Sequence, residues 1–271
     1  MTEARIVPGL LAGRYHLEQV LGTGGMGVVY RARDLLHEQF GEPCSRVALK
    51  VVGEGLARSS DAHVLLFSEF AVTRSLRHEG IVRAFTFEVD SACQMAFFTM
   101  ELLTGLTLDR LLLECPGGLP WSQLQPMALQ VLDALAYAHG QGVLHGDLKP
   151  GNVLLGEAGI RLFDFGLGQG EGLPQLSRGR FNAWTPAYAA PEMLGGGALT
   201  PAADLYGVAC MLYELAEGGR PDERQSLKPR RLPRQYWPAL KTALAVDPER
   251  RAISVAELRE TLARDSRRWY L

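Results

Sequence analysis

The stretch HGDLKPGNVLL, residues 145–155, joins a polar turn directly to a short apolar run. A second apolar run ends in RLFDFG, residues 161–166. Each hydrophobic segment is therefore flanked by an aspartate in a glycine-containing turn, which predicts that Asp147, Asn152 and Asp164 lie at one rim of the structure. A plain hairpin with polar turns is the alternative interpretation.

Oxygen atoms dominate this rim. Carboxylate and amide oxygens suit Mg²⁺, a hard ion that prefers oxygen ligands. A separate carboxylate could accept the proton of a hydroxyl group. The pattern is thus compatible with a site that binds a divalent cation and deprotonates a hydroxyl.

The first part of the chain is rich in β-type residues. Between about residues 14 and 102, five such runs are separated by turns, which predicts an antiparallel sheet: YHLEQVL, GVVYRARD, RVALKVV, VRAFTFEV and MAFFTMEL. One helix interrupts them, with Ser60 or Asp61 as its N-cap and its end near Arg77.

Helical signals dominate beyond Leu108. Ser122 and Gln125 predict a capping box. The apolar stripe that follows has helical spacing and stops at Gly140; its members are Leu124, Ala128, Val131, Leu135 and Ala138.

Two further helices are predicted near the end of the chain. Thr200 and Pro201 indicate a helix start, with threonine as the cap and proline at the first helical position. This helix is expected to stop at Gly218. The last helix is expected from Ser254 to about Arg264.

Lys50 closes the strand VALK, and Glu69 is its expected partner. In the lone helix of the first part, Glu69 lies within an apolar stripe at helical steps: Leu65, Glu69, Val72 and Leu76. A carboxylate that faces a core needs a partner. A solvated Glu69 is the alternative, because Phe67 and Phe70 offer a competing stripe.

A glycine-rich segment, GTGGMGVV, spans residues 22–29 between two β-type runs. Gly22, Gly24 and Gly27 have no Cβ, so backbone N–H groups in this segment could approach phosphate oxygens. A flexible hairpin loop is the alternative. A Rossmann site is excluded because a strand, and no helix, follows the motif.

Composition excludes several function classes. The 28 Lys and Arg residues against 30 Asp and Glu residues leave a net charge of −2, so neither nucleic acid nor an anionic membrane is the expected partner. Four scattered cysteines fit neither a disulfide framework nor a zinc site and indicate a reducing compartment, the cytoplasm. No signal peptide and no membrane span is predicted, because no apolar run approaches about 18 residues.

Taken together, these motifs resemble the catalytic domain of the bacterial eukaryotic-like (Hanks-type) Ser/Thr protein kinases over residues 12–264. Further matches are RHEGIV from Arg77, TPAYAAPE from Thr185, DLYG from Asp204, and Arg251 in DPERR. The resemblance implies an α+β bilobal fold, with a nucleotide-binding N-lobe at 1–102 and a catalytic C-lobe at 103–271. It also implies ATP- and Mg²⁺-dependent phosphoryl transfer to Ser/Thr hydroxyls of protein substrates, including autophosphorylation.

The resemblance implies a role for each matched residue. The residues implied to bind ATP are Leu21, Gly22, Gly24, Gly27, Val29, Ala48, Lys50, Met100, Glu101, Leu103, Leu154 and Asp164. The implied catalytic residues are Asp147, Lys149, Lys50 and Glu69, and the implied ligands of Mg²⁺ (or Mn²⁺) are Asn152 and Asp164. Asp147 would orient the attacking hydroxyl and receive its proton, and Lys149 would steady the transferring phosphate. Glu192 would pair with Arg251.

Three features depart from the family pattern. Gly146 stands where the family has the arginine that binds an activation-loop phosphate. The segment 164–192 has few hydroxyls, namely Ser177, Thr185 and Tyr188. The Arg- and Pro-rich segment 217–238 is short, and we interpret it as a solvated loop in preference to a basic docking patch. Control of activity is therefore expected to come from a partner or from sequence outside this chain.

Two other functions share part of the pattern. A small-molecule phosphotransferase of the aminoglycoside-kinase type also has HGD followed by asparagine five residues after the aspartate, but the glycine-rich segment, DFG and TPAYAAPE favour a protein kinase. A pseudokinase scaffold would bind nucleotide or partners without transferring phosphate. No sequence feature requires it, because Lys50, Glu69, Asp147, Asn152 and Asp164 are all present.

Overall fold

The computed structural model describes residues 9–24, 27–52, 62–165, 185–221 and 227–264. These residues divide into two compact units. The first is built from residues up to Arg77 and from Val82–Leu103, and the second from His78–Ile81 and the described residues that follow Leu103. Each unit holds its own group of candidate site residues.

An antiparallel sheet forms the first unit, together with two helices. Its described elements are β1 (Leu10–Leu11), β2 (Tyr15–Thr23), β3 (Gly27–Asp34), α1 (Leu35–Gln39), β4 (Arg46–Val52), α2 (Ala62–Ser75), β5 (Ala84–Asp90) and β6 (Met95–Glu101). The strand order is β1-β2-β3-β4-β6-β5. The five β-type runs of the sequence correspond to β2 through β6, and all of their pairings are antiparallel, as predicted.

The central strands β4 and β6 are buried on both faces because hydrophobic groups pack on each side. One face belongs to a cluster of Leu11, Tyr15, Ala32, Val47, Leu49, Val51, Met95 and Phe97. On the other face, Ala96 and Phe98 pack against Leu66 and Phe70 of α2. Helix α2 ends at Ser75, two residues before the predicted end. Its predicted cap at Ser60 or Asp61 lies outside the described residues.

The second unit is mainly helical. Its described elements are β7 (Leu106–Thr107), α3 (Leu108–Glu114), α4 (Trp121–Gly140), β8 (Val153–Gly156), β9 (Gly159–Leu162), α5 (Pro191–Leu194), α6 (Pro201–Glu217), α7 (Trp237–Ala243) and α8 (Val255–Ala263). The strands β7, β8 and β9 form a small antiparallel sheet. This sheet carries the polar turns on either side of the two apolar runs.

Helix α4 has the predicted apolar stripe, and every member of the stripe is buried. Its start differs from the prediction. The prediction of a capping box at Ser122 and Gln125 is wrong, because the helix already begins at Trp121. Pro120 is the N-cap residue, and no side chain caps the helix. Gln125 Nε2 instead donates to the carbonyl oxygen of Leu262 in α8, at 2.7 Å. A tertiary contact thus engages the side chain that the local pattern assigned to the cap.

Helix α6 is buried on nearly all sides and follows the sequence signals closely. Thr200 Oγ1 accepts a hydrogen bond from the N–H of Ala203 at 3.2 Å, and Pro201 is the first helical residue. Gly218 is the C-cap of the helix and has a φ of 85°, which favours glycine. A Cβ added at Gly218 would lie only 2.1 Å from the carbonyl oxygen of Pro116, so no larger residue fits there. No helix within the described residues has both the length and the apolar character of a membrane span.

Candidate active site

Four predicted nucleotide-binding residues of the first unit share one face of the sheet. Val29 lies opposite Lys50 in β3 and β4, and Ala48 lies opposite Met100 in β4 and β6. Directly opposed residues, and residues two positions apart on one strand, point to the same side. The register therefore brings Val29, Ala48, Lys50 and Met100 together.

Lys50 and Glu69 form a buried ion pair across this unit. Lys50 Nζ lies 2.6 Å and 2.7 Å from the two carboxylate oxygens of Glu69. The side chains are only 7% and 3% exposed, respectively. Of the competing stripe, Phe67 is 45% exposed but Phe70 is buried, so the buried face of α2 includes Phe70 as well as Glu69 and Val72. A buried lysine held in this way keeps a fixed positive charge on the face shared with Val29 and Ala48.

The glycine-rich segment closes the hairpin between β2 and β3. The N–H of Gly24 donates to the carbonyl oxygen of Gly27 at 2.9 Å. A Cβ at Gly27 would lie 2.3 Å from the carbonyl oxygen of Val51, so only glycine fits there, whereas Gly22 and Gly24 have open space beside them. Leu21, just before the segment, is 47% exposed.

At the end of β6, Glu101 is held by the backbone of Arg83. The N–H of Glu101 donates to the carbonyl oxygen of Arg83, and the N–H of Arg83 donates to Glu101 Oε1, each at 2.9 Å. Leu103 follows two residues later and is half-buried.

Asp147 is the centre of the polar cluster in the second unit. Its Oδ1 accepts a hydrogen bond from the N–H of Thr185 at 2.8 Å. Lys149 Nζ donates both to Asp147 Oδ2 and to Thr185 Oγ1. The Asp147 side chain is 9% exposed and that of Lys149 is 27% exposed. A carboxylate is thus fixed in place next to an ammonium group that water can reach.

Asn152 and Asp164 lie on neighbouring backbone segments. Asn152 Nδ2 donates to the carbonyl oxygen of Asp147 at 2.8 Å, and its own carbonyl oxygen accepts from Phe163, the residue before Asp164. The amide hydrogens of Asn152 therefore face Asp147, and Oδ1 is the atom available as a ligand. With the carboxylate of Asp164 this makes an all-oxygen donor set, which fits Mg²⁺. Asp164 has a φ of 68°, a strained conformation for a non-glycine residue that is common at functional sites.

Asp204 in the first turn of α6 was a sequence match without a predicted role. Its buried carboxylate accepts hydrogen bonds from the N–H groups of His145 and Gly146, each at 2.8 Å, and lies 2.9 Å from His139 Nε2. It thus fixes the backbone just before Asp147. The signal is present in the sequence, because a carboxylate beside a long apolar stretch of a helix needs partners when it is buried.

Glu192 and Arg251 form the ion pair that the resemblance implied. Arg251 Nη1 and Nη2 lie 2.6 Å and 2.7 Å from the Glu192 carboxylate oxygens. Tyr188, four residues before Glu192, donates its hydroxyl to Glu214 of α6. Burial and this hydrogen bond raise the pKa of Tyr188 above its usual value. Residues 166–184, which include Gly166 and Ser177, lie outside the described residues.

Comparisons with known proteins agree on one family. The sequence model of the protein kinase domain matches residues 15–251. The DNA damage-responsive serine/threonine-protein kinase RqkA of Deinococcus radiodurans is 38% identical over 254 residues, covering 89% of this chain and 36% of RqkA. The serine/threonine-protein kinase PkaA of Streptomyces coelicolor is 35% identical over 263 residues, covering 89% of this chain and 48% of PkaA. The chain therefore spans less than half the length of these relatives.

A solved structure shows the same fold. The kinase domain of Mycobacterium tuberculosis PknI matches with a TM-score of 0.72 and 27% sequence identity, covering 97% of this chain and 98% of that domain. The match includes the β-sheet unit and the helical unit. The α+β fold expected from the sequence is confirmed.

Proposed function

Since this chain belongs to the protein kinase family, we propose that it transfers the γ-phosphoryl group of ATP to serine and threonine hydroxyls of protein substrates, its own chain included. The observation that carries this proposal is the contact of Lys149 Nζ with both Asp147 and Thr185. It fixes a proton acceptor and a cation side by side, which is what in-line attack of a hydroxyl on a phosphate requires.

Asp147 is the proton acceptor in this mechanism. The substrate hydroxyl oxygen forms a bond to the γ-phosphorus, the bond between that phosphorus and the β,γ-bridging oxygen breaks, and ADP leaves. The hydroxyl proton passes to Asp147, whose carboxylate is held by the N–H of Thr185. Lys149 stabilises charge on the transferring phosphate.

The nucleotide-binding residues of each unit are proposed separately. Lys50, positioned by Glu69, binds the α- and β-phosphates, and backbone N–H groups of the glycine-rich segment cover them. In the first unit, the adenine packs among Leu21, Val29, Ala48 and Met100, with Glu101 and Leu103 supplying backbone hydrogen bonds. In the second unit, Leu154 is the proposed adenine-binding residue. Asn152 and Asp164 would hold Mg²⁺ (or Mn²⁺), and the bound ion would neutralise phosphate charge.

We also propose the lobes, the partners and the location of the protein. Residues 1–102 form the nucleotide-binding lobe, and residues 103–271 form the catalytic lobe. The partners are a protein substrate with an acceptor Ser or Thr and a regulatory protein. The cytoplasm is the proposed location, because ATP is available there and the four cysteines form no disulfide within the described residues.

Incubation with Mg-ATP tests this function. The chain is mixed with a generic basic protein and with a panel of aminoglycosides, and the products are identified by mass spectrometry. We expect phosphoserine and phosphothreonine on the protein or on the chain itself. Phosphate on an aminoglycoside alone would identify a small-molecule phosphotransferase, and nucleotide binding without any transfer would identify a pseudokinase.

Basal activity is expected not to depend on phosphorylation of the segment between Asp164 and Glu192. A phosphate orders a loop only where cations receive it, and Gly146 replaces the usual receiver. Gly146 has a φ of 84°, so an arginine at this position would cost about 1–2 kcal/mol of backbone strain. Initial rates at saturating ATP should therefore agree within about tenfold for untreated enzyme, phosphatase-treated enzyme and Ser177→Ala.

A larger loss of activity would contradict this expectation. Arg178 and Arg180 are the nearest cations in the sequence that could receive a phosphate on Ser177. If phosphatase treatment lowers the rate more than tenfold, Arg178→Gln and Arg180→Gln should reproduce the loss, because they remove the alternative receivers.

A further inference from the structure

The segment 217–238 has a charge opposite to that of the rest of the chain. It contains six basic residues and three acidic ones, a net charge of +3; the basic residues are Arg220, Arg224, Lys228, Arg230, Arg231 and Arg234. The whole chain has a net charge of −2, so the remaining residues together carry −5. Positive charge is therefore concentrated in one short stretch of an otherwise acidic protein.

The backbone of this segment is held at several points between residues 227 and 234. Lys228 Nζ donates to the carbonyl oxygens of Pro229 and Leu232 at 2.7 Å and 2.8 Å. Arg231 Nε donates to the carbonyl oxygen of Gly117 at 2.9 Å, and the side chain of Leu232 is buried. Its cations are thus presented from a pre-arranged backbone, which lowers the entropy cost of binding a partner.

Arg230 and Arg234 have their side chains in solvent. The Arg230 side chain is 89% exposed, and its Nε donates to Glu217 Oε1 at 2.8 Å. Within the described residues Glu217 is its only partner, and no described residue accepts a hydrogen bond from the two Nη groups of Arg230. Arg234 and Arg231 are exposed as well. Guanidinium groups with unused N–H pairs are suited to bidentate binding of carboxylates.

A chain of contacts connects these arginines to the cluster around Asp147. Thr185 donates its N–H to Asp147, and the N–H of Tyr188 donates to the carbonyl oxygen of Thr185 at 3.0 Å. The Tyr188 hydroxyl donates to Glu214 of α6. Glu217, the partner of Arg230, lies three residues further along α6, a rise of about 4.5 Å. The arginines and the cluster around Asp147 are therefore linked by hydrogen bonds within one unit.

In place of the solvated loop that the sequence favours for this segment, we propose that Arg230, Arg231 and Arg234 form a docking surface for an acidic segment of the protein substrate, a run of Asp and Glu residues separate from its acceptor Ser or Thr. This inference rests on the proposed function, because it names the substrate class of that activity. The arginines bind the carboxylates outside the reacting centre. Such binding raises the local concentration of the acceptor without altering the phosphoryl-transfer step.

Direct binding is measured first, by fluorescence anisotropy with the complete chain. The probes are a labelled Glu-rich peptide of about 12 residues and the matched peptide with Gln in place of Glu, at low and at raised salt. The test variant is Arg230→Glu/Arg234→Glu, which leaves the Arg231 contact with Gly117 intact. The matched control is Arg110→Glu/Arg250→Glu, which reverses the same number of charges at exposed positions elsewhere in the unit.

The Glu-rich peptide is expected to bind the wild type and the control, with a Kd that rises with salt. The test variant should raise that Kd about tenfold, or 1.4 kcal/mol. Equal binding of the Glu and Gln peptides, or equal binding by the test variant and the wild type, would overturn the proposal. Melting temperatures within about 2 °C of the wild type would show that the variants remain folded.

A kinetic experiment then links the surface to catalysis. One acceptor peptide carries either the Glu tail or the Gln tail. The Glu tail should lower KM for the wild type but not for Arg230→Glu/Arg234→Glu, with kcat unchanged in both. A tail effect that persists in the variant would contradict the docking surface. If no peptide is phosphorylated at all, the proposed function fails, while the anisotropy result still decides the docking surface separately.

Discussion

An Asp147→Asn variant should lose phosphoryl transfer by a factor of about 10²–10⁴ while binding Mg-ATP with nearly unchanged affinity. Asparagine keeps the size of the side chain and can still accept the hydrogen bond that Thr185 donates to Oδ1. It cannot receive a proton from the substrate hydroxyl. The loss should appear in kcat, measured with a protein acceptor at saturating ATP, and the Kd for nucleotide should be measured separately by calorimetry.

Glu260→Gln is a suitable control, because it makes the same carboxylate-to-amide change on the exposed side of α8. Its activity should match that of the wild type. Turnover of Asp147→Asn at the wild-type rate would remove Asp147 from the reaction. A large loss of nucleotide affinity in that variant would show that Asp147 acts on the nucleotide and not on the acceptor hydroxyl.

Much of the fold follows from local sequence patterns. The strands β2 to β6 coincide with apolar runs bounded by turns, because antiparallel strands with short connections leave a local signal. Helix α6 begins and ends where Thr200 and Gly218 predict, since capping is decided by the residue and its immediate neighbours. Helices and strands that are determined by neighbouring residues can therefore be predicted from the sequence alone.

Contacts between distant residues were harder to predict. The capping box at Ser122 looked complete in sequence, yet Gln125 binds the backbone of Leu262, 137 residues away. Local pattern has no information on such a partner, and tertiary contacts override local preferences. The same limit applies to Thr185, whose contact with Asp147 spans 38 residues.

For the candidate site, residue types were more informative than positions. An apolar stripe interrupted by Glu69 predicted a buried partner, and Lys50 is that partner. The same argument applied to Asp204 would have predicted its contacts, because a carboxylate in an apolar helix needs donors. That the donors are the N–H groups of His145 and Gly146 required the fold.

Arg251 is the most deeply buried cation of the second unit's described ion pairs. Its side chain is 0% exposed, whereas that of its partner Glu192 is 19% exposed. It also donates to the carbonyl oxygens of Ala245, Ala202 and Val246, and its guanidinium lies 4.8 Å from the ring centroid of Tyr206. These contacts join α5, α6 and the segment before α8, so the pair stabilises several elements at once.

Removing one member of such a pair leaves a buried charge uncompensated, which typically costs 3–5 kcal/mol. For Glu192→Gln we expect about 3 kcal/mol, because the three backbone carbonyls still bind Arg251. The melting temperature should fall by roughly 6–10 °C, measured by calorimetry at pH 7. Glu217→Gln is the matched control, since its partner Arg230 is 89% exposed and a pair of that kind contributes about 0–1 kcal/mol.

Acidification should remove the difference between Glu192→Gln and the wild type. Burial alone would raise the pKa of Glu192. The hydrogen bonds from Arg251 nevertheless hold this pKa below its usual value. The usual value in unfolded chains is about 4.3. A carboxylate with a lowered pKa in the folded state contributes stability that is fully present above its unfolded pKa and is lost as the pH falls through the folded pKa. Urea unfolding of both proteins should therefore give a constant difference in free energy from pH 7 to about pH 5, and a shrinking one below about pH 4. A difference that stays constant down to pH 3, or that is absent at pH 7, would show that the ionised carboxylate of Glu192 does not hold Arg251 in place.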